Sequence, residues 1–337
     1  MKTYNVGILG ATGAVGREML KILEERSFPI GELRLLASAR SVGKKIPYCG
    51  KEIDVKLAEV GAFEGLDIVL GAASNAIAKE LAPDIVKAGA VFVDNSSAFR
   101  MCDDVPLVVP EINAEDVKKN KGIISNPNCS TIITLVAVNA LNKLSKITGM
   151  VASTYQATSG AGAQGPVELR EQSKALLEGG EIKSEVFQYQ IAENVIPQIG
   201  SFNDDGYTTE EMKMQNEGRK ILHLPELNVT CTCVRVPVVR SHSISVTVVT
   251  EDELSVEAVK DAVSKSAGCK LYDDNENKLY PMPLVTSDQD LVYVGRIRKD
   301  LVHKNAITLW CCGDQVRKGA ATNAVQIAEK VIAKDNK

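Results

Sequence analysis

The stretch Tyr4-Asn5-Val6-Gly7-Ile8-Leu9-Gly10-Ala11-Thr12-Gly13-Ala14-Val15-Gly16 decides the reading of the chain. A short apolar run suited to a strand enters a glycine turn of the form G-x-x-G-x-x-G, and an amphipathic pattern then predicts a helix over Val15–Glu25. Glycines permit the tight strand-to-helix turn and close approach of a ligand to the backbone. The start of the helix offers free N–H groups and a positive dipole end to a pyrophosphate. The spacing differs slightly from G-x-G-x-x-G, but the strand before it and the helix after it supply the context a dinucleotide site requires. Gly10, Thr12, Gly13, Ala14, Val15 and Gly16 are the expected cofactor loop.

Outward from this turn, short apolar runs and helical patterns alternate. Strands are expected at Tyr4–Gly10, Leu33–Ala37, Ile68–Ala72 and Val91–Asn95, and a second helix at Ile77–Lys87. This order implies a Rossmann-type, doubly wound parallel sheet in an α/β fold. An NAD site usually carries an acid after the second strand, whereas a 2′-phosphate calls for an arginine. Here Ser38-Ala39-Arg40-Ser41 follows, without an acid, so NADP(H) is the expected cofactor, held by Arg40 with Ser38 and Ser41.

Beyond a nearly all-round apolar helix from Ser130 to about Leu144 the texture changes. A strand at Met150–Gln156, a Gly-rich loop at 159–165 and a helix near Val167–Leu177 come first. Helices at Thr209–Leu222 and Val256–Ser266, and strands at Val229–Val236, Ser243–Thr250, Leu291–Ile297 and Ala306–Cys312, indicate a separate α+β domain. The division expected is 1–129 for the nucleotide domain, 130–314 for the second, and a C-terminal helix within 315–337 returning to the first.

The chain has 337 residues, with 39 Lys and Arg against 43 Asp and Glu, and this balance disfavours general binding to nucleic acid or to an anionic membrane. The opening run is too short for a signal peptide and no stretch approaches a membrane span, so a cytoplasmic protein is expected. Eight cysteines occur without Cys-x-x-Cys pairs, beside only three histidines; reduced thiols and no metal site follow. Of the eight, Cys129 alone has an activating context, since Ser125-Asn126-Pro127-Asn128-Cys129-Ser130-Thr131 is a polar turn opening a helix, where the dipole favours a thiolate.

Ordered along the chain, Gly10–Gly16, Asp94–Arg100, the Asn128-Cys129-Ser130 turn, Gln156 with Ser159–Gly162, Glu210–Lys213, Arg235–His242 and Arg317–Ala321 together resemble the aspartate-β-semialdehyde dehydrogenase family. The resemblance implies a second domain of the glyceraldehyde-3-phosphate dehydrogenase-like type, serving catalysis and dimerisation, and a homodimer or homotetramer. It also implies NADPH-dependent reduction of 4-aspartyl phosphate to aspartate 4-semialdehyde with release of phosphate, through a cysteine thioester. That reaction belongs to the biosynthesis of lysine through diaminopimelate, and of methionine, threonine and isoleucine. Cys129 would be the nucleophile and His242 a general acid/base shuttling the thiol proton, with activity falling on both sides of neutrality. Gln156 would orient the thioester carbonyl.

By the same resemblance Arg235 would anchor the substrate carboxylate, Glu210 would face its amino group, and Arg100 and Lys213 would hold phosphate, with Asn128 beside the nucleophile. On physical grounds alone, Glu210 and Lys213 stand at i and i+3 and would pair with each other. Ser159, Gly160 and Gln315 would approach the nicotinamide end, although Gly313-Asp314-Gln315-Val316 departs from the usual Asp-Asn, and Thr230 stands where a smaller residue is usual. Seven positions separate Arg235 from His242, so a straight strand would point them to opposite faces, and a bend at Pro237 is required to bring both to one cleft. N-acetylglutamyl-phosphate reductase is the alternative within the same chemistry, but its turn reads Gly-Cys-Tyr. A non-catalytic cofactor-binding relative is the alternative outside it, and such a chain would be expected to lose at least one of Cys129, Gln156, Arg235 and His242.

Overall fold

The run that opens the fingerprint forms β1 (Tyr4–Leu9), and the glycine turn leads into α1 (Ala14–Glu25). In the computed structural model, which describes residues 2–333, β2 (Ile30–Ala37) lies parallel to one edge of β1, pairing Val6 with Leu33 and Ile8 with Leu35. After β3 (Lys45–Tyr48) and β4 (Lys51–Leu57), β5 (Ile68–Gly71) lies parallel to the other edge of β1, and α2 (Asn75–Lys87) and β6 (Val91–Asp94) follow. A short α3 (Pro110–Asn113) precedes β7 (Ile123–Ser125), giving the sheet order β3-β4-β2-β1-β5-β6-β7. All pairings are parallel except the β3–β4 hairpin. The order reverses at β1, where open α/β sheets bind ligands beyond the carboxyl ends of their strands.

The second unit starts with α4 (Cys129–Asn142), whose side chains from Ser130 to Leu141 are all buried. At about 1.5–3 kcal/mol for each large aliphatic side chain removed from water, this helix is a principal source of the unit's stability. Next come β8 (Ile147–Gln156), α5 (Gln164–Glu178), α6 (Thr209–Leu222), β9 (Asn228–Arg235), β10 (His242–Thr250), α7 (Val256–Lys265), β11 (Cys269–Leu271), α8 (Pro283–Thr286), β12 (Val292–Lys299) and β13 (Ala306–Gly313). The strands form a mixed sheet ordered β11-β12-β13-β10-β8-β9. Thr208 and Glu211 close a capping box that starts α6, each side chain bonding the other's backbone N–H.

Finally α9 (Thr322–Ile332) returns to the first unit, where Ala324, Val325, Ile327 and Ala328 share a core with Val6, Ile8, Met19 and Leu35. Arg26 clamps Glu329 through two bonds of 2.7 Å. On the other sheet face Leu9, Leu36, Val69 and Phe92 pack against Leu81 and Ile85 of α2.

The compact units comprise residues 2–128 with 320–333, and Cys129–Gly319. Cys129, as the first residue of α4, groups with the second unit, one position from the expected 129/130 boundary. Residues 315–319 also fall in the second, because Asp314 accepts the N–H groups of Val316 and Arg317 and holds that turn. Residue 1 and residues 334–337, the ends of the expected 1–129 and 315–337 segments, lie outside the described residues. Among the described residues no helix is long and apolar enough to cross a membrane, and no three or more His, Cys, Asp or Glu gather to hold a metal ion.

Candidate active site

Three strand ends meet in the second unit. Because β8 lies between β9, parallel to it, and β10, antiparallel to it, the carboxyl ends of β8 and β9 coincide with the amino end of β10. Gln156 pairs directly with Arg235, while Ser243 pairs with Tyr155, so Gln156, Arg235 and His242 occupy one row across three adjacent strands. The expected bend is a crossover. Residues 236–241 pass over the end of β8, bonded to it by Thr158 N–H to Val238 O (2.8 Å) and Ser159 N–H to Val239 O (3.2 Å). Ser241, just before the imidazole, has φ of 74°, a left-handed conformation unusual for a residue with a Cβ.

His242 is fully buried, and its Nδ1 accepts the N–H of Ala157 at 3.0 Å. A neutral imidazole that accepts at Nδ1 must carry its proton on Nε2. That Nε2 is buried and has no hydrogen-bond partner among the described residues. Burial first, and the Arg235 charge second, push the imidazole down to about 3, with Glu210 opposing. Gly160 leaves room for this ring, since a Cβ there would stand 2.8 Å from Arg235 Nη1 and 3.1 Å from His242 Nε2.

Arg235 is buried as well, and its Nη1 donates to Ala157 O at 2.8 Å. Burial lowers its affinity for the proton, while the Cys129 sulfur and then the Glu210 carboxylate, both close enough to interact electrostatically, raise it. A guanidinium facing a sulfur favours the thiolate. Glu210 accepts from Gln156 Nε2 at 3.2 Å and from Lys213 Nζ at 2.8 Å, so the pairing read from their i, i+3 spacing is present. Lys213 keeps about 30% of its side chain exposed. Cys129 is partly buried, and Gly319 sits against it: a Cβ on that glycine would come within 2.9 Å of the Cys129 Cβ.

Five expected residues therefore form one cluster: Cys129, Gln156, Glu210, Arg235 and His242. Lys213 joins through Glu210. Gln315 Nε2 donates to Ser159 Oγ, and Gln315 Oε1 accepts the Ser241 N–H at 2.8 Å, so this amide links Ser159 to the segment before His242. Arg100 and Asn128 lie in the first unit, where Arg100 donates from Nε to Asn126 O and from Nη2 to Asn95 O, each at 2.9 Å.

In the fingerprint, Gly10 adopts φ of 87°, and a Cβ there would stand 2.5 Å from Ala72 O. A Cβ on Gly16 would collide with Gly10 O. Gly13 and Ala14 are exposed at the start of α1, no side chain caps the helix and its first turn carries no acid. Thr12 Oγ1 lies 3.3 Å from Ser41 Oγ, which brings the turn beside the Ser38–Ser41 segment, where Ser38 and Arg40 are exposed. These features fit a dinucleotide whose pyrophosphate meets the start of α1.

Other parts of the site lacked a sequence signal. Ala157 contributes only backbone atoms, and Phe187, whose ring centroid lies 5.7 Å from Arg235 Cζ, falls in a segment without periodicity. The buried Asp314 carboxylate takes Arg240 Nε at 2.6 Å and the Asp288 N–H at 2.7 Å, gathering three loops. Its neighbour Gln315 stands in a recognisable motif, whereas the burial of Asp314 leaves no mark in the sequence.

The family model described as semialdehyde dehydrogenase, NAD binding domain, matches residues 5–120, and that described as semialdehyde dehydrogenase, dimerisation domain, matches residues 138–318. The chain is 50% identical over 333 residues to an aspartate-semialdehyde dehydrogenase of Aquifex aeolicus, covering 98% of each chain. Its fold is similar to the crystal structure of aspartate semialdehyde dehydrogenase II from Vibrio cholerae complexed with ASA, with a TM-score of 0.96, 44% identity and 99% coverage of each chain. A Candida albicans aspartate semialdehyde dehydrogenase with NADP gives a TM-score of 0.78 at 26% identity, again with 99% of each chain covered.

Proposed function

The chain belongs to the aspartate-semialdehyde dehydrogenase family, and from that membership and the geometry above we infer how its own residues carry the reaction. It is a phosphorying aldehyde dehydrogenase of amino-acid biosynthesis, interconverting aspartyl phosphate and aspartate semialdehyde with a nicotinamide cofactor. The observation that carries the assignment of roles is the row of Gln156, Arg235 and His242 with Cys129 within the electrostatic reach of the guanidinium.

In the reductive direction the Cys129 thiolate attacks the acyl carbon, forming a C–S bond while the phosphate leaves with the C–O electron pair. Arg235 holds the substrate's carboxylate, Glu210 faces its amino group, Gln156 orients the thioester carbonyl and Lys213 meets phosphate; for Arg100 and Asn128, of the first unit, the phosphate and flanking roles are those the resemblance implies. The cofactor, when bound, supplies hydride to the thioester carbon. The resulting oxyanion sits in reach of the His242 Nε2–H, collapses to the aldehyde and returns the thiolate. The sulfur thus enters and leaves as thiolate, so the imidazole needs to donate a hydrogen bond but not to accept a proton. We prefer this fixed donor to the acid/base shuttle that the resemblance implies, because Nδ1, where an Nε2–H imidazole would take up a second proton, accepts the Ala157 N–H.

We expect NADP+ reduction by aspartate semialdehyde to require inorganic phosphate. Turnover independent of phosphate would refute the phosphorylating mechanism, and equal turnover of N-acetylglutamate semialdehyde would restore the alternative reductase. For the cofactor we propose NADP(H) over NAD(H), on the exposed Arg40 with Ser38 and Ser41 at the end of β2; Gly10–Gly16 would cradle the pyrophosphate, and Ser159 with Gly160 would meet the nicotinamide end. Losing a charged contact to the 2′-phosphate is worth about 1.5–3 kcal/mol, so Arg40→Ala should lower the ratio of kcat/KM for NADP+ over NAD+ by about 10- to 100-fold. An unchanged ratio would remove Arg40 from the site.

Assembly is proposed as a homodimer or a homotetramer built on the second unit. The dimerisation-domain match supports it, and so does the outer face of the second sheet, where Val151 and Tyr155 are exposed and Tyr155 packs on Trp310 at 5.4 Å.

A further inference from the structure

Arg235 is held from three directions. Its backbone exchanges two hydrogen bonds with Ile196, 2.8 and 2.9 Å long, its Nη1 donates to Ala157 O, and the Phe187 ring lies against the guanidinium. Ile196 and Phe187 both come from the long connection between α5 and α6, in which residues 181–195 form no helix or strand. A segment without a backbone ladder must satisfy its N–H groups elsewhere. Here two side chains of α5, Glu168 and Gln172, do so.

Both are buried and stand at i and i+4, joined by a 3.2 Å bond from Gln172 Nε2 to Glu168 Oε1. The Glu168 carboxylate accepts the N–H groups of Glu185 (2.8 Å), Val186 (2.5 Å) and Phe187 (3.3 Å). Gln172 Oε1 accepts those of Ile191 (2.8 Å) and Ala192 (3.1 Å), and its Nε2 donates to Lys183 O at 2.7 Å. Five amides are thereby fixed from one helix face, and Phe187 packs with Leu169, Ile191, Ala192 and Ile196 in a small core of its own. Gly165 leaves space for the ring tip, since its Cβ would come 3.2 Å from Phe187 Cζ.

We propose that Phe187, set in place by Glu168 and Gln172, is a positioning residue for Arg235, so that the connection between α5 and α6 tunes how the enzyme grips the carboxylate of its substrate. A cation is drawn to the face of an aromatic ring, and the attraction grows where water is excluded. The ring steadies the guanidinium without using any of its N–H groups. The proposal rests on the reading that Arg235 binds the substrate's carboxylate, and the test separates the two.

Isosteric fluorinated phenylalanines placed at position 187 weaken the ring's negative face and leave the packing intact. The KM for aspartate semialdehyde should climb stepwise with fluorine number, reaching about tenfold for the pentafluoro ring, with kcat and the KM for NADP+ within about twofold. Phe187→Leu should raise the same KM by about 3- to 30-fold. Arg235→Lys is run in parallel, because it loses the planar fork and should raise that KM further. If Arg235→Lys raises KM while the fluorinated series stays flat, the ring has no positioning role and the carboxylate reading stands. If Arg235→Lys leaves KM unchanged, the carboxylate reading itself is wrong.

Discussion

Cys129→Ser should lower kcat for NADP+ reduction by about 10³-fold or more and abolish the thioester, while binding of NADPH persists. The expectation follows from what surrounds the position. A hydroxyl there would gain little from the helix start and the Arg235 charge that favour a thiolate, since its own ionisation lies far higher. Nor would a base be at hand, because Nε2 of His242 carries a proton and its other nitrogen is taken by Ala157. Other thiols offer no substitute in the second unit. Cys231, Cys233, Cys269, Cys311 and Cys312 are buried, and Cys311 and Cys312 are pushed upward by desolvation, Cys231 by its bond to Cys233 and then by desolvation. The measurement is intact mass after incubation with aspartate semialdehyde and NADP+ without phosphate, alongside steady-state rates. An acyl adduct on another cysteine, or a kcat within tenfold of the parent, would place the nucleophile elsewhere.

The nucleotide-binding sheet was legible because its signals are local. Gly10 must adopt a positive φ and Gly16 must lie against Gly10 O, requirements that side-chain identity alone announces. By contrast the β3–β4 hairpin escaped, since its turn uses Cys49 and Gly50 at φ of 48° and 74°, and cysteine is not a residue from which a left-handed turn is read. Apart from Cys129, which its polar turn announces, the cluster in the second unit was nameable only through family resemblance. Which strand lies between β9 and β10 depends on long-range register, and that register, not the spacing of Arg235 and His242, is what aligns them with Gln156. The contribution of Phe187 was hidden for a related reason: Glu168 and Gln172 read as ordinary polar residues on a helix until the connection they bind is seen folded over them.

The imidazole yields the second large effect, and it distinguishes two chemistries. If His242 shuttles protons, every substitution that removes the ring should be equally damaging. If instead it presents a fixed Nε2–H to the oxyanion, a glutamine amide reaching the same place should replace much of it. We therefore expect His242→Ala to cost about 10²–10³ in kcat, the scale of one lost oxyanion donor, and His242→Gln to recover to within about tenfold of the parent. The pH dependence carries the same distinction. A base depressed to about 3 gains its proton only below that value, so it stays neutral at every pH where the enzyme works and contributes no limb near neutrality. The bell anticipated from an ordinary imidazole should thus lack its histidine limb, and nitrogen-15 NMR of the resting protein should find the Nε2–H tautomer unchanged from pH 5 to 9. A titration near pH 6.5, or glutamine no better than alanine, would return His242 to the role of shuttle and require Ala157 to release Nδ1 during turnover.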